Sequence, residues 1–145
     1  MGGKCMLKFI VLSLILLLSI TAVSENHVYY YENKNSVITG TIKMEEIHDP
    51  PGYNKGEIIY PYMLYLDVPI NVLPSVQKGF KNKTDVNLIP EYNVTKIQLK
   101  YDSLVMNLKN YNDKKVIITG VLHHSDSLYF YTNVFISITN IQIVE

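Results

Sequence analysis

The chain is 145 residues long, with 13 lysines and no arginine set against 13 acidic residues, for a formal net charge of zero. That length suits one domain with an ordinary core, and the even charge balance lacks the basic footprint of a nucleic-acid binder. A single cysteine, Cys5, excludes a disulfide framework and any cysteine-based metal site.

Phe9–Ile20 is a short apolar run preceded by Lys4 and Lys8 and followed by Ala22-Val23-Ser24. A positive start, an apolar middle and a small-residue site form the pattern of a secretory signal peptide, here residues 1–24. The run is shorter than the roughly 20 apolar residues needed to span a bilayer. Cys5 stands before the run, whereas a lipid-bearing cysteine would follow it. The expectation is an exported protein, periplasmic or secreted, with no stable membrane anchor after cleavage.

Residues 25–36 are polar around Val28 and the Tyr29-Tyr30-Tyr31 run, and read as an N-terminal arm with room for a short strand. One domain is expected over 37–145. Val37–Ile47 alternates as a first strand with Gly40 near its middle; an interior glycine marks a bulge, a bend or close backbone approach. His48–Gly56 is a loop rich in Pro, Gly, Asp and Asn. Tyr60–Val72 reads as a second strand, with Tyr62, Leu64, Leu66 and Val68 on one face and Pro69 marking an end, an edge or a bulge. Leu73–Tyr92 is a long connection carrying Lys78, Lys81 and Lys83.

Asn93–Lys100 reads as a third strand with Thr95, Ile97 and Leu99 on one face. Asp102 has the character of a helix N-cap, and Leu104, Val105, Leu108 and Tyr111 make the stripe of a short amphipathic helix. Lys115–His123 is a fourth strand, with Val116, Ile118 and Leu122 inward and Gly120 interrupting. Leu128–Val144 supplies one long or two short final strands. Val37–Ile42 is echoed by Ile117–Leu122, as two strands bending at glycine would require. A mainly β chain with one short helix between its third and fourth strands has the element order of a five-stranded OB-like Greek-key barrel.

Several short pieces, in order, carry a resemblance: Gly40-Thr41-Ile42, Pro50-Pro51-Gly52-Tyr53, Leu64–Val72, Ile97-Gln98-Leu99, Lys114–Leu122 and Thr132-Asn133-Val134. In these the chain resembles a family of exported bacterial domains of unknown function. The resemblance implies an exported location and the domain's extent, and no activity. The family often has cysteine where Asn71 stands and a histidine-rich turn before the last strand. Here that turn reads Ser125-Asp126-Ser127-Leu128-Tyr129-Phe130-Tyr131, so no histidine role carries over.

His123 and His124, with Asp126 nearby, are the only histidine cluster. Adjacent strand residues face opposite ways, so one strand cannot aim both at one ion; His48-Asp49 would add ligands only if folding brought it near. Glu45-Glu46 reads as a pair of solvated charges. No catalytic motif is present: no G-x-S-x-G, no H-E-x-x-H, no phosphate-cradling glycine loop. The expectation is a non-enzymatic module without a metal or other cofactor. Its candidate ligand-binding rim is Tyr53, His123, His124, Tyr129 and Tyr131, since OB-folds bind ligands through the first and last interstrand loops and aromatic rings stack on sugars or anchor protein partners. Alternate members of the 128–131 segment filling the core is the competing reading. The expected partner is a protein or glycan and not nucleic acid. A metal-dependent envelope enzyme using His123 or His124, and an inhibitor or immunity-type protein, are the rival functions.

Overall fold

The computed structural model describes residues 27–50, 52, 55–75, 86–103, 106–127 and 129–145. The expected signal segment therefore lies outside the described residues. Among the described residues eight strands form: β1 (His27–Tyr30), β2 (Ser36–Met44), β3 (Ile47–His48), β4 (Ile58–Ile59), β5 (Tyr62–Leu73), β6 (Glu91–Lys100), β7 (Lys115–His124) and β8 (Val134–Ile143). They are rich in Ile, Val, Leu and Tyr, residues that fit a pleated, half-buried surface.

Five of these strands close on themselves in the order β5-β2-β7-β8-β6, with β6 returning to β5. All the barrel pairings are antiparallel except β6 with β8, which is parallel. The barrel interior is filled by period-two alternation. Ile38 and Ile42 come from β2, Leu64, Ile70 and Val72 from β5, Ile97 and Leu99 from β6, Val116, Ile118 and Leu122 from β7, and Val134 and Ile136 from β8. β1 lies outside this ring and pairs in parallel with the far end of β5. β3 and β4 form a separate two-stranded ribbon that brackets the expected first loop, 48–56.

Gly40 and Gly120 are buried and paired within β2 and β7. A Cβ on Gly40 would stand 2.3 Å from the Tyr65 carbonyl oxygen, and one on Gly120 would stand 2.4 Å from that of Ser137. Close approach of neighbouring backbone is therefore the reason for both glycines. A register shift also falls at Thr119/Gly120. Pro69 lies within an irregularity of the β5–β6 ladder, between Tyr65 and Ile70.

The helix expected between the third and fourth barrel strands is not seen among the described residues. The described residues of that connection show one 3-10 turn, Leu108–Tyr111, capped by Asn107, whose side chain accepts from the Lys109 amide at 3.1 Å; Leu104 and Val105 lie outside the described residues. Ser103, Asn107 and Asn110 offer the backbone local alternatives to helical hydrogen bonds, and this outweighs the apolar spacing. Leu108 is buried in the core, at 1% exposure, and Tyr111 packs against it half-buried. The last segment holds one strand starting at Val134, with 125–133 as the loop before it.

Candidate functional site

Strand register builds a second small core outside the barrel wall. Met63 pairs with Gln98, Gln98 with Phe135, and Phe135 with His123. These residues alternate with the inward-facing set and so point outward, yet Met63, Gln98 and Phe135 are all buried. The cover comes from the 125–133 loop, which folds back over this row. Phe130 stacks on Phe135 with ring centroids 3.8 Å apart and planes 6° apart, and His123 stacks on Phe135 at 5.0 Å. Gln98 holds the loop: its Nε2 donates to the Tyr129 carbonyl at 3.3 Å, its Oε1 accepts from the Tyr131 amide at 2.8 Å, and its own amide donates to Thr132 Oγ1 at 2.9 Å. Every polar group of this buried amide side chain that lies near the loop is used, which fixes the loop's path.

His124 faces the other way, toward the barrel end, as adjacent strand residues must. Its Nε2 lies 3.0 Å from Glu91 Oε1, its Nδ1 lies 2.8 Å from the Ser125 carbonyl, and its amide donates to Asn87 Oδ1 at 2.9 Å. The Asn133 side chain also donates to Glu91, at 3.2 Å. Tyr31 packs edge-on against the His124 ring at 6.0 Å and is fully buried. Its hydroxyl has no hydrogen-bond partner among the described residues. Burial, reinforced by the Glu91 charge, pushes the Tyr31 phenol well above its ordinary value. Both His124 ring nitrogens thus face oxygen atoms, and the tautomer decides which of the two donates.

A third cluster lies on the outer face of β2, β5 and β6. Lys96 Nζ sits 3.0 and 3.1 Å from the two Glu45 carboxylate oxygens, and the Tyr65 hydroxyl donates to Glu45 Oε1. Lys43 Nζ lies 5.3 Å and Lys96 Nζ 5.6 Å from the centre of the Tyr65 ring. Burial opposes ionisation of Glu45, but the hydrogen bonds from Tyr65 and Lys96 and the Lys96 charge outweigh it and hold the carboxyl below its ordinary value. Donation to Glu45, then burial and the carboxylate charge, raise the Tyr65 phenol. Glu45 and Glu46 are not simple solvated neighbours: Glu46 instead meets His48 at 2.6 Å.

The five candidate rim residues do not gather. Tyr53 lies outside the described residues. His123 is packed beneath the 125–133 loop, His124 is turned into the barrel end, and Tyr131 is half-buried with its hydroxyl enclosed. Among the described rim residues, Tyr129 is the one whose side chain is mostly exposed, at 60%. Phe130 packs, so the 128–131 segment divides between packing and display. Gln98, Glu91 and Lys96 escaped the sequence reading, and the one sequence trace of Gln98 is a polar residue between two core positions, Ile97 and Leu99.

Among the described residues, no three His, Cys, Asp or Glu side chains gather as a metal site, and no helix is long and apolar enough to cross a membrane. No family model, curated protein or solved structure matches this chain.

Proposed function

We propose that the chain is an exported, non-enzymatic binding module built on an OB-like Greek-key barrel. The OB-like reading is supported by the strand succession: three barrel strands run as an antiparallel meander (β2, β5, β6), β7 returns beside β2, and β8 closes the ring parallel to β6. Export rests on the residue pattern of 1–24, in keeping with the resemblance to exported bacterial domains.

The observation that carries the binding reading is Tyr129, an exposed ring whose own carbonyl, and the amide two residues further on, are hydrogen-bonded to the buried Gln98 side chain. An aromatic side chain held in place before binding loses little freedom when a partner arrives, and such rings anchor protein interfaces or stack on sugars. The partner is a protein or a glycan.

The test is a glycan array and an envelope-fraction pull-down with the wild-type chain and Tyr129→Ala. The reading expects a specific partner whose affinity drops at least tenfold in the variant. A partner bound equally well by Tyr129→Ala removes Tyr129 from the site. Export is tested by fractionation and N-terminal sequencing, with Glu25 expected as the new first residue.

A further inference from the structure

We infer that the outer face of β2, β5 and β6 is a docking surface for an acidic polysaccharide, with Lys43, Lys96 and Lys100 supplying its positive charge. This goes beyond the Tyr129 reading, because the face lies on different strands and makes no use of the 125–133 loop's exposed ring. The three lysines are far apart in sequence. Register brings them together: Lys43 is paired with Met63, Met63 with Gln98, and Lys96 and Lys100 flank Gln98 at two residues on either side. All three therefore point outward, from the two strands β2 and β6 that flank β5.

What holds these ammonium groups in place is the physical basis of the inference. Lys43 and Lys96 lie over the Tyr65 ring, and Lys100 lies 5.7 Å from the centre of the Phe135 ring. A ring face attracts a cation without neutralising it. Lys43 and Lys100 have no carboxylate partner among the described residues, so their full charge stays available. Lys96 is matched by Glu45 and Asp67 of β5 by Lys115, so Lys43 and Lys100 carry the uncompensated charge of the face among the described residues.

The Glu45 carboxylate shows what the face can grip. It is held by both the Lys96 ammonium and the Tyr65 hydroxyl, which shows that the ammonium groups of this face suit carboxylates and leaves Lys43 and Lys100 for those of a bound chain. Repeated carboxylates along a linear sugar polymer suit a row of cations spread over neighbouring strands. Nucleic acid suits it poorly. No arginine is present to read guanine edges, and the Tyr65 and Phe135 faces are already shared with lysines or other rings, so bases have no stacking platform.

The experiment titrates the full chain with polygalacturonate oligomers at low salt, with neutral dextran and an oligothymidylate as parallel arms. Expected are polygalacturonate binding that weakens as salt rises, no dextran binding, and a loss of at least tenfold in Lys43→Gln/Lys100→Gln. Both substitutions are on exposed side chains, and an unchanged melting temperature establishes that the variant is folded. Tyr129→Ala is expected to bind polygalacturonate as wild type does, which separates this face from the loop. Absence of polygalacturonate binding, indifference to the double substitution, or tighter binding of oligothymidylate would each overturn the inference.

Discussion

The Glu45 carboxylate and the Lys96 ammonium, 3.0 Å apart, tie the end of β2 to the middle of β6 across the intervening β5. Tyr65 of β5 closes the group from between them by donating to the same carboxylate. Three strands of the barrel wall are thus joined outside the core, through side chains whose ionisation makes the joint pH-dependent.

The sign of that dependence follows from the directions of the two shifts. Glu45 ionises below its ordinary value in the folded chain, so its contribution is present above the unfolded carboxyl value of about 4.3 and is lost as pH falls through the folded one. Tyr65 holds its proton above its ordinary value, so its contribution is present below about pH 10 and is lost as pH rises through the folded value. Glu45→Gln should cost about 0.5–1 kcal/mol at pH 7, the scale of a partly exposed ion pair. Urea titrations at pH 7 and pH 3 check this: the gap between wild type and variant must shrink at pH 3. A constant gap would mean that Glu45 stabilises by packing alone.

Gly40 and Gly120 make a second prediction about the barrel wall. Gly40→Ala directs a methyl group at the Tyr65 carbonyl, and Gly120→Ala directs one at the Ser137 carbonyl. Both obstacles are backbone and cannot swing aside, so each substitution forces neighbouring strands apart and costs about 1–3 kcal/mol. Chemical denaturation measures it. A neutral result at either position would mean that the wall yields there.

The alternation of Ile38 with Ile42 and of Val116, Ile118 and Leu122 was legible in the sequence, because period two survives wherever the ladder is regular. It failed where the ladder is not. Val68 was expected beside Leu64 and Leu66 but is 42% exposed, at the irregularity that holds Pro69. On β6, Val94 packs against the core in place of Thr95, beside Asn93, whose φ of 54° is left-handed. The apolar spacing of 104–111 does not settle that segment as a helix, because Asn107 and Asn110 offer the backbone competing local hydrogen bonds. As for the site, Tyr129 was found by residue type, whereas Lys43, Lys96 and Lys100 become neighbours only through strand register, which no local pattern encodes. Gln98 was invisible for the same reason: its partners are loop backbone groups more than thirty residues away.

Gln98→Ala should therefore loosen the 125–133 loop while leaving the barrel intact. The change strips the Tyr131 amide of its acceptor and the Tyr129 carbonyl of its donor, at a cost of about 1–3 kcal/mol for buried groups left unpaired. Hydrogen exchange reads it directly: the Tyr131 amide should exchange much faster, while the amides of β2 and β7 keep the protection set by global unfolding. Uniform loss of protection across the chain would mean that Gln98 supports the whole fold and not the loop.

Tyr31→Phe should raise stability, the opposite of the usual result for a core substitution. The Tyr31 hydroxyl is buried without a hydrogen-bond partner among the described residues, and such a group carries a desolvation cost of about 1–3 kcal/mol. Phenylalanine keeps the ring, its edge-on contact with His124 and its place in the core, so only the costly atom is lost. A gain of about 1 kcal/mol is expected in urea at pH 7. Alkaline titration gives a second check, since a phenol held this high stays protonated until the fold opens, and the variant should lack that late-titrating tyrosine. A loss of stability would show that the hydroxyl is hydrogen-bonded in solution, with an ordered water or a bound group standing between it and Glu91.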